Sequence, residues 1–482
     1  MFTYRLQRRH AAMIGASIVS MLGMLLGTGA SAHAATPAEA RAAKVLAHEF
    51  ATDLLNRRVV RPHGWAWRSV IQSPHLQTDR DVGAAGIGVG LLQHYRRSHD
   101  PRALAGARRA GDWLLSVADR TPHGLRWPDT ADGDHENSYY SSFDDGTPGV
   151  ADFLWQLGRQ THDARYTRAA LAGMDWTVSQ SRPAPGGGVR WRYYDQEDDY
   201  RTGIGEGNAG IVYALLTFAE RTKQPRYEQA ALAGAQALEA QITPQGAMPE
   251  HFVDPAGHVS PDAAYDTGFL SGGAGDAFVF LRLYQHTHDP RWLADARTLL
   301  GWVMRAQLAD GSFPIEAAPT TDYDDHRATG IEEGAAGIGW VGLQAFRVTH
   351  DRAYLSMAVR AGDWLARTPP RGRRSWPEYQ GASIVHTSLD NGTPGIAWFL
   401  DDLDRVRPKA SYRRATTASL TWLRTVSTRT PIGGRVVYEN TNRTGAHLRA
   451  DPSWHWGSAG IVAYLDRMAG GRDDTPGMEP AL

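Results

Sequence analysis

The frame G-x-x-G followed by an apolar helical stretch occurs seven times, and no other feature limits the possible fold as strongly. The copies are DVGAAGIG from Asp81, DDGTPGVA from Asp144, GEGNAGIV from Gly205, SGGAGDAF from Ser271, EEGAAGIG from Glu332, DNGTPGIA from Asp390 and HWGSAGIV from His455. Each carries polar or charged residues just before its first glycine. A chain of 482 residues would on length alone be two or three domains. Units that share one pattern argue instead for one repeated architecture.

The unit itself predicts paired helices. Residues 83–97 form an apolar helix that opens at a glycine turn, and Ser98-His99-Asp100-Pro101 breaks it. Pro101 suits the first turn of a second helix over 102–118, which is amphipathic with Trp113 on its apolar stripe. The break recurs as THDARY from Thr161, KQPRY from Lys223, THDPRW from Thr287 and THDRAY from Thr349. Its Asp is placed to cap free backbone N–H groups. The following aromatic, such as Tyr166 or Trp292, is expected between the paired helices. Trp113, Trp176, Trp302, Trp364 and Trp422 recur at matching places and are expected in the core.

Apolar first helices and half-polar second helices imply an inner and an outer layer. Six units are complete; the seventh, from Gly457, has an inner helix followed by a polar tail. The helix predicted over 37–58 can supply its missing outer partner. The expected fold is all-α, an (α/α)7 toroid of seven inner and seven outer helices. It forms a single domain over 35–482, with long loops and the glycine turns around a pocket at one end. Glycine lets crowded helix starts approach one another closely, so the glycines alone say nothing about chemistry.

Residues 1–34 read as a signal peptide: Arg5, Arg8 and Arg9, an apolar run to about Gly29, and Ala32-His33-Ala34 as a cleavage site. The expected location is secreted or periplasmic, with no membrane association after signal removal. A net charge of -1 argues against nucleic acid as a partner. The chain has no cysteine, which excludes disulfides, thiolate metal ligands and a cysteine nucleophile.

The acids before the turns have two readings. Helix N-termini that point at one place favour carboxylates as caps. A ring of carboxylates also suits acid/base chemistry, because two carboxyls in different surroundings titrate apart and glycoside hydrolysis needs such a pair. The candidate catalytic pool is Glu332, Asp390, Glu206 and Asp145. The candidate substrate-binding residues are Trp191, Tyr194, Trp376, Trp454, Trp456, His455, Tyr140 and Arg201. Aromatic faces suit sugar rings, though long loops also use Trp as an anchor. Arg201, like Arg192 and Arg327, either holds an anionic sugar or pairs with nearby acids such as Asp198 and Asp199. No cofactor and no metal is expected; the oxygen-rich turns leave a hard cation such as calcium open.

With seven such turns, the DTGFLSGGAG form of the fourth and the ring closure, nearly the whole mature chain resembles the lanthionine synthetase C-like family. That resemblance implies the seven-fold helical toroid. The family's cyclases hold a zinc at three consecutive turns through His, Cys and Cys-His. The matching places here hold Ser271, Glu332, Asp390 and Asn391, so the zinc ligands are absent and zinc-activated thiolate addition is not expected.

The leading expectation is a secreted glycan-processing enzyme acting on an oligo- or polysaccharide. Its reaction would be glycoside hydrolysis by a carboxylate pair in the central pocket, with a lyase or epimerase as variants. The alternatives are a non-catalytic sugar- or peptide-binding protein and a zinc-less peptide-modifying relative of the lanthionine cyclases.

Overall fold

Fourteen α-helices alternate between two layers among the residues described by this computed structural model: 36–69, 75–131, 138–252, 264–317, 325–369, 375–437, 439–440 and 448–470. The leader read at 1–34, together with His135, Tyr323, Asp324 and the tail after 470, lies outside them. Residues 35–482 form one compact unit. The inner helices are α2 (Ala84–Ser98), α4 (Thr147–Thr161), α6 (Asn208–Thr222), α8 (Gly273–Thr287), α10 (Ala335–Thr349), α12 (Thr393–Val406) and α14 (Ser458–Met468). The outer helices are α1 (Pro37–Asn56), α3 (Pro101–Val117), α5 (Ala164–Ser179), α7 (Pro225–Glu239), α9 (Pro290–Ala306), α11 (Arg352–Arg367) and α13 (Ala410–Val426). Each outer helix packs on the inner helix before it, except α1, which packs on α14 as the sequence predicts. Helix α14 also packs on α2, so the circle closes.

The link between paired helices is built the same way five times. His99, His162, Lys223, His288 and His350 adopt the left-handed conformation with φ of 56–60° and end the inner helix. Asp100, Asp163, Asp289 and Asp351 then accept from the backbone N–H two residues on, at 2.9 Å each. These are the expected caps.

The aromatic that follows reaches further than its own pair. Tyr166, Tyr227 and Tyr412 donate their hydroxyls to Asp112, Asp175 and Asp363 on the preceding outer helix, at 2.8, 2.9 and 2.7 Å. Neighbouring units are thereby stapled. Tyr166→Phe leaves the Asp112 carboxylate without this donor and is expected to cost about 1.5 kcal/mol. A lower urea midpoint at unchanged m-value would show it. Trp113, Trp176, Trp302 and Trp364 are buried as expected, and Trp422 is partly so.

Among the described residues, five short antiparallel strand pairs, which the helical periodicity does not reveal, lie between units or within the last loop. Two examples are β1 (Val59–Arg61) with β2 (Gly64–Ala66), and β3 (Asp119–Thr121) with β4 (Gly124–Arg126). The indole N–H groups of Trp67, Trp127, Trp191 and Trp376 donate to Leu54, Leu114, Thr177 and Leu365 carbonyls at 2.7–2.8 Å. These tryptophans anchor the loops to the C-terminal turns of the preceding outer helices, where carbonyls lack helical partners.

Candidate functional site

The seven glycine turns bond to one another in a closed circle. The backbone N–H of Arg80 donates to Asp144 O (2.8 Å), Asp144 to Gly205 O (3.2 Å) and Gly205 to Leu270 O (2.9 Å). Leu270 donates to Glu332 O (3.0 Å), Ile331 to Asp390 O (2.6 Å), Leu389 to His455 O (3.0 Å) and Trp454 to Asp81 O (3.1 Å). Every acceptor is the residue two places before a first glycine. Asp81, Asp144, Gly205, Leu270, Glu332, Asp390 and His455 are therefore presented alike, and the side chains of Asp81, Asp144 and Asp390 meet that of His455. His455 Nδ1 lies 3.2 Å from Asp81 and 3.4 Å from Asp390, and its Nε2 lies 3.9 Å from Asp144. These three acids come from three different turns, and His455 from a fourth.

The register one place later forms a more exposed rim. Asp145, Ser271, Glu333 and Trp456 are part-buried and Glu206 is exposed, whereas Val82 and Asn391 are buried. Two layers result: a floor of carboxylates around one imidazole, and a mixed polar rim above it. Gly205 and Leu270 leave one arc of the floor without charge.

Burial disfavours charge on this floor. It pushes the Asp390 carboxyl up to about 7, aided by Asp81, Asp144 and Glu333 and opposed by His455. Glu332 is held well above the carboxylate range by burial and by Asp390 and Glu333. Asp145 is held there too, by burial and by Asp81, Asp79 and Asp144. For His455 burial works against the charged form, but Asp390, Asp144 and Asp81 outweigh it and hold the imidazole well above its ordinary value. Asp390 and His455 are each 2% exposed, and Asp390 Oδ1 has no hydrogen-bond partner among the described residues. Glu332 accepts a hydrogen bond from the Asn391 amide.

Raised carboxyl and imidazole values give one sign of pH dependence. A group that binds its proton more tightly when folded stabilises the fold at low pH, and that gain is lost as pH rises through the folded value. For Asp390 the window runs from about 4 to about 7; for His455 the loss falls above its ordinary value. The protein is expected to melt higher at pH 5 than at pH 8, and Asp390→Asn is expected to flatten that difference. Melting curves across this range check it; an unchanged slope in the variant would refute the assignment.

The sequence-predicted residues divide. Asp390 and His455 meet on the floor, and Glu332, part-buried, lies near them with its carboxylate on the Asn391 amide. Asp145 lies beside them, accepting from the Tyr193 hydroxyl at 2.9 Å. The rings of Tyr140, Tyr193 and Tyr194 lie within 4.9–5.9 Å of one another, and Trp456 stands on the rim. Glu206 is instead the partner of Arg201. Arg201 in turn binds Asp199 at 2.9 Å and lies 4.0 Å over the Tyr193 ring, so this Arg and Glu neutralise each other. Trp191 and Trp376 correct the sequence reading: both are fully buried loop anchors and present no face to a substrate. Trp454 is likewise buried, with the Arg80 guanidinium 5.7 Å over its ring.

Asp81 and Asp144 contact His455 but are missing from the predicted catalytic pool, as Tyr193 is from the binding set. Aligning the seven turns by their first glycine places both aspartates in register with Glu332 and Asp390.

The zinc implied by the family resemblance does not fit. No thiol is present, and the places concerned hold Ser271, Glu332, Asp390 and Asn391, of which Glu332 and Asn391 are bonded to each other. The floor supplies carboxyl and imidazole protons in place of soft ligands.

Such a circle of turns defines a class, an α/α toroid with polar groups gathered at the N-termini of its inner helices. A profile of the family described as lanthionine synthetase C-like protein matches residues 198–469, more than half the chain, and the protein belongs to that family. The fold is similar to a nisin cyclase at 11% identity and TM-score 0.55, covering 82% of this chain and 90% of that one. It is also similar to a D-mannose isomerase at 13% identity and TM-score 0.53, covering 79% and 96%. A cellobiose 2-epimerase from Spirochaeta thermophila DSM 6192 matches at 17% identity and TM-score 0.52, covering 80% and 97%. No curated protein matches the sequence. Among the described residues, no helix is long and apolar enough to cross a membrane.

Proposed function

We propose that this protein is a carbohydrate-processing enzyme that works by general acid–base catalysis on the carboxylate floor. One observation carries the reading: Asp81, Asp144 and Asp390, from three turns, contact the imidazole of His455, and Glu332, from a fourth, is near enough for Asp390 to raise its carboxyl. A toroid does not need this. Buried like charges are costly, and groups pushed far from their ordinary protonation cluster where chemistry is done. The sugar epimerase and isomerase that share the fold suggest the substrate class to test first.

The proposed reaction is hydrolysis of a glycosidic bond. A neutral carboxyl, Asp390 or Glu332, protonates the leaving oxygen, and an ionised neighbour activates water or attacks the sugar. The tyrosine cluster and Trp456 give the sugar apolar faces, and the leader read at 1–34 would place the enzyme outside the cytoplasm. His455 favours a second reading, isomerisation or epimerisation, because an imidazolium clamped by Asp81 and Asp390 can donate to a ring or carbonyl oxygen.

Oligosaccharides of glucose and mannose incubated in D2O separate the two. Hydrolysis generates new reducing ends without deuterium at carbon; isomerisation exchanges a carbon-bound proton and generates none. Recovery of every glycan unchanged and unexchanged would overturn both in favour of a binding protein.

A further inference from the structure

The geometry points to a divalent transition-metal site at the opposite end of the toroid, formed by His48, His94 and Asp100. His48 lies on α1, His94 near the C-terminus of α2, and Asp100 caps α3. One ligand atom from each lies within 4.8 Å of the other two. Ten residues of α2 separate His94 from the helix start at Ala84, next to the turn that carries Asp81, about 15 Å at the rise of an α-helix. The site is thus independent of the central one and of the reaction proposed there.

Three details distinguish it from a chance meeting of polar groups. His94 is 1% exposed, and its Nε2 is buried without a hydrogen-bond partner, which is costly for an imidazole unless something occupies it. Its other nitrogen, Nδ1, is fixed 2.9 Å from the Asp466 carboxylate on α14. A carboxylate behind the ring sets the tautomer that leaves Nε2 free to ligate, the usual support of a metal-bound histidine. The third is the donor set. Two imidazoles and a carboxylate suit zinc and its neighbours in the transition series, with water completing a tetrahedron.

The site must tighten on loading. Ligand atoms on one zinc are about 3.4 Å apart, given bonds of about 2.1 Å, so His48 has to move inward. It is free to do so, being 54% exposed. His48 Nδ1 already faces Asp100 Oδ2 at 3.6 Å. Arg102 competes: it contacts His48 Nε2 at 3.2 Å and grips both Asp100 oxygens at 2.9–3.2 Å. On metal binding Arg102, itself half-exposed, leaves Oδ2 and the imidazole and keeps Oδ1.

The position gives the metal a purpose. Among the described helices, the seventh pair alone joins members from opposite ends of the sequence, α1 from the start and α14 from the end. His48, His94, Asp100 and the supporting Asp466 span that seam. A bound ion would cross-link the N-terminal helix to the ring and raise its stability with the logarithm of free ligand concentration above Kd.

The test is titration of the tag-free full chain with zinc, followed by calorimetry and melting. One zinc per chain and a higher melting temperature are expected. His48→Ala, at an exposed position, should abolish both responses while leaving the metal-free melting temperature unchanged, and His94→Gln should abolish binding. Arg102→Gln should tighten binding several-fold, because it removes the competing cation; a purely structural Arg102 would not. Glu332→Gln and Asp390→Asn should bind as wild type does. Absence of zinc binding overturns the proposal. So does binding that survives His48→Ala and His94→Gln, or binding lost in the two floor variants instead.

Discussion

Asp390→Asn and Glu332→Gln are each expected to lower kcat/KM on a turned-over glycan by about 10²–10⁴-fold while leaving the fold intact. Both side chains lie on the floor, both are held toward the protonated form, and each is within reach of a different neighbour: His455 for Asp390, Asn391 for Glu332. An amide keeps the shape and part of the hydrogen bonding but cannot deliver a proton. The pH profile sharpens the assignment. If Asp390 is the acid, activity falls as pH rises through about 7, since its proton is then lost. Asp390→Asn removes that limb together with the activity, and Glu332→Gln leaves the position of any residual limb near where it was. A sugar-active wild type that loses nothing in either variant would end the acid/base assignment, and the tightly packed acids would have to be read as caps.

The toroid was legible because its determinants repeat. Seven glycine turns, five copies of the His-Asp or Lys-Gln break and the recurring outer-helix tryptophans give periodicity that survives divergence between copies. The closing role of α1 followed from counting, since an inner helix without a partner at one end and a spare amphipathic helix at the other leave one solution. The site was legible only in part. Glu332, Asp390 and His455 could be selected because they precede a glycine.

Which of two adjacent acids faces inward depends on register within the turn, and the sequence signal was there in the alignment to the first glycine. It separates Asp144, which reaches His455, from Asp145, which bonds Tyr193. The buried tryptophans were misassigned for a different reason. A loop Trp that binds sugar and one that ties its loop to a helix end have the same neighbours in sequence. Only the indole N–H on Thr177 O or Leu365 O tells them apart.

Gly337→Ala is expected to cost about 3 kcal/mol by overpacking and to remove the activity, while Gly301→Ala is expected to stabilise the protein. The contrast isolates what the second glycine of each frame does. A methyl at Gly337 would lie 1.9 Å from Ile331 O, far inside contact. The same clash, with the carbonyl six residues back, recurs at Gly86, Gly149, Gly210, Gly275, Gly395 and Gly460, at 1.8–2.1 Å. Each inner helix therefore starts directly against the backbone of its own turn, and that turn is bonded into the circle. Alanine at 337 must push Ile331 outward, stretching the Ile331 N–H bond to Asp390 O and displacing Glu332 next to it. Gly301 sits inside the outer helix α9, where an added methyl would meet only the Arg305 guanidinium at 3.6 Å. There alanine gains about 0.5–1 kcal/mol from helix propensity and a less free unfolded chain. Urea melts of the two variants give the signs directly. Equal effects would mean that the seven turns are not held by close backbone approach, and the convergence of the floor carboxylates would then need another cause.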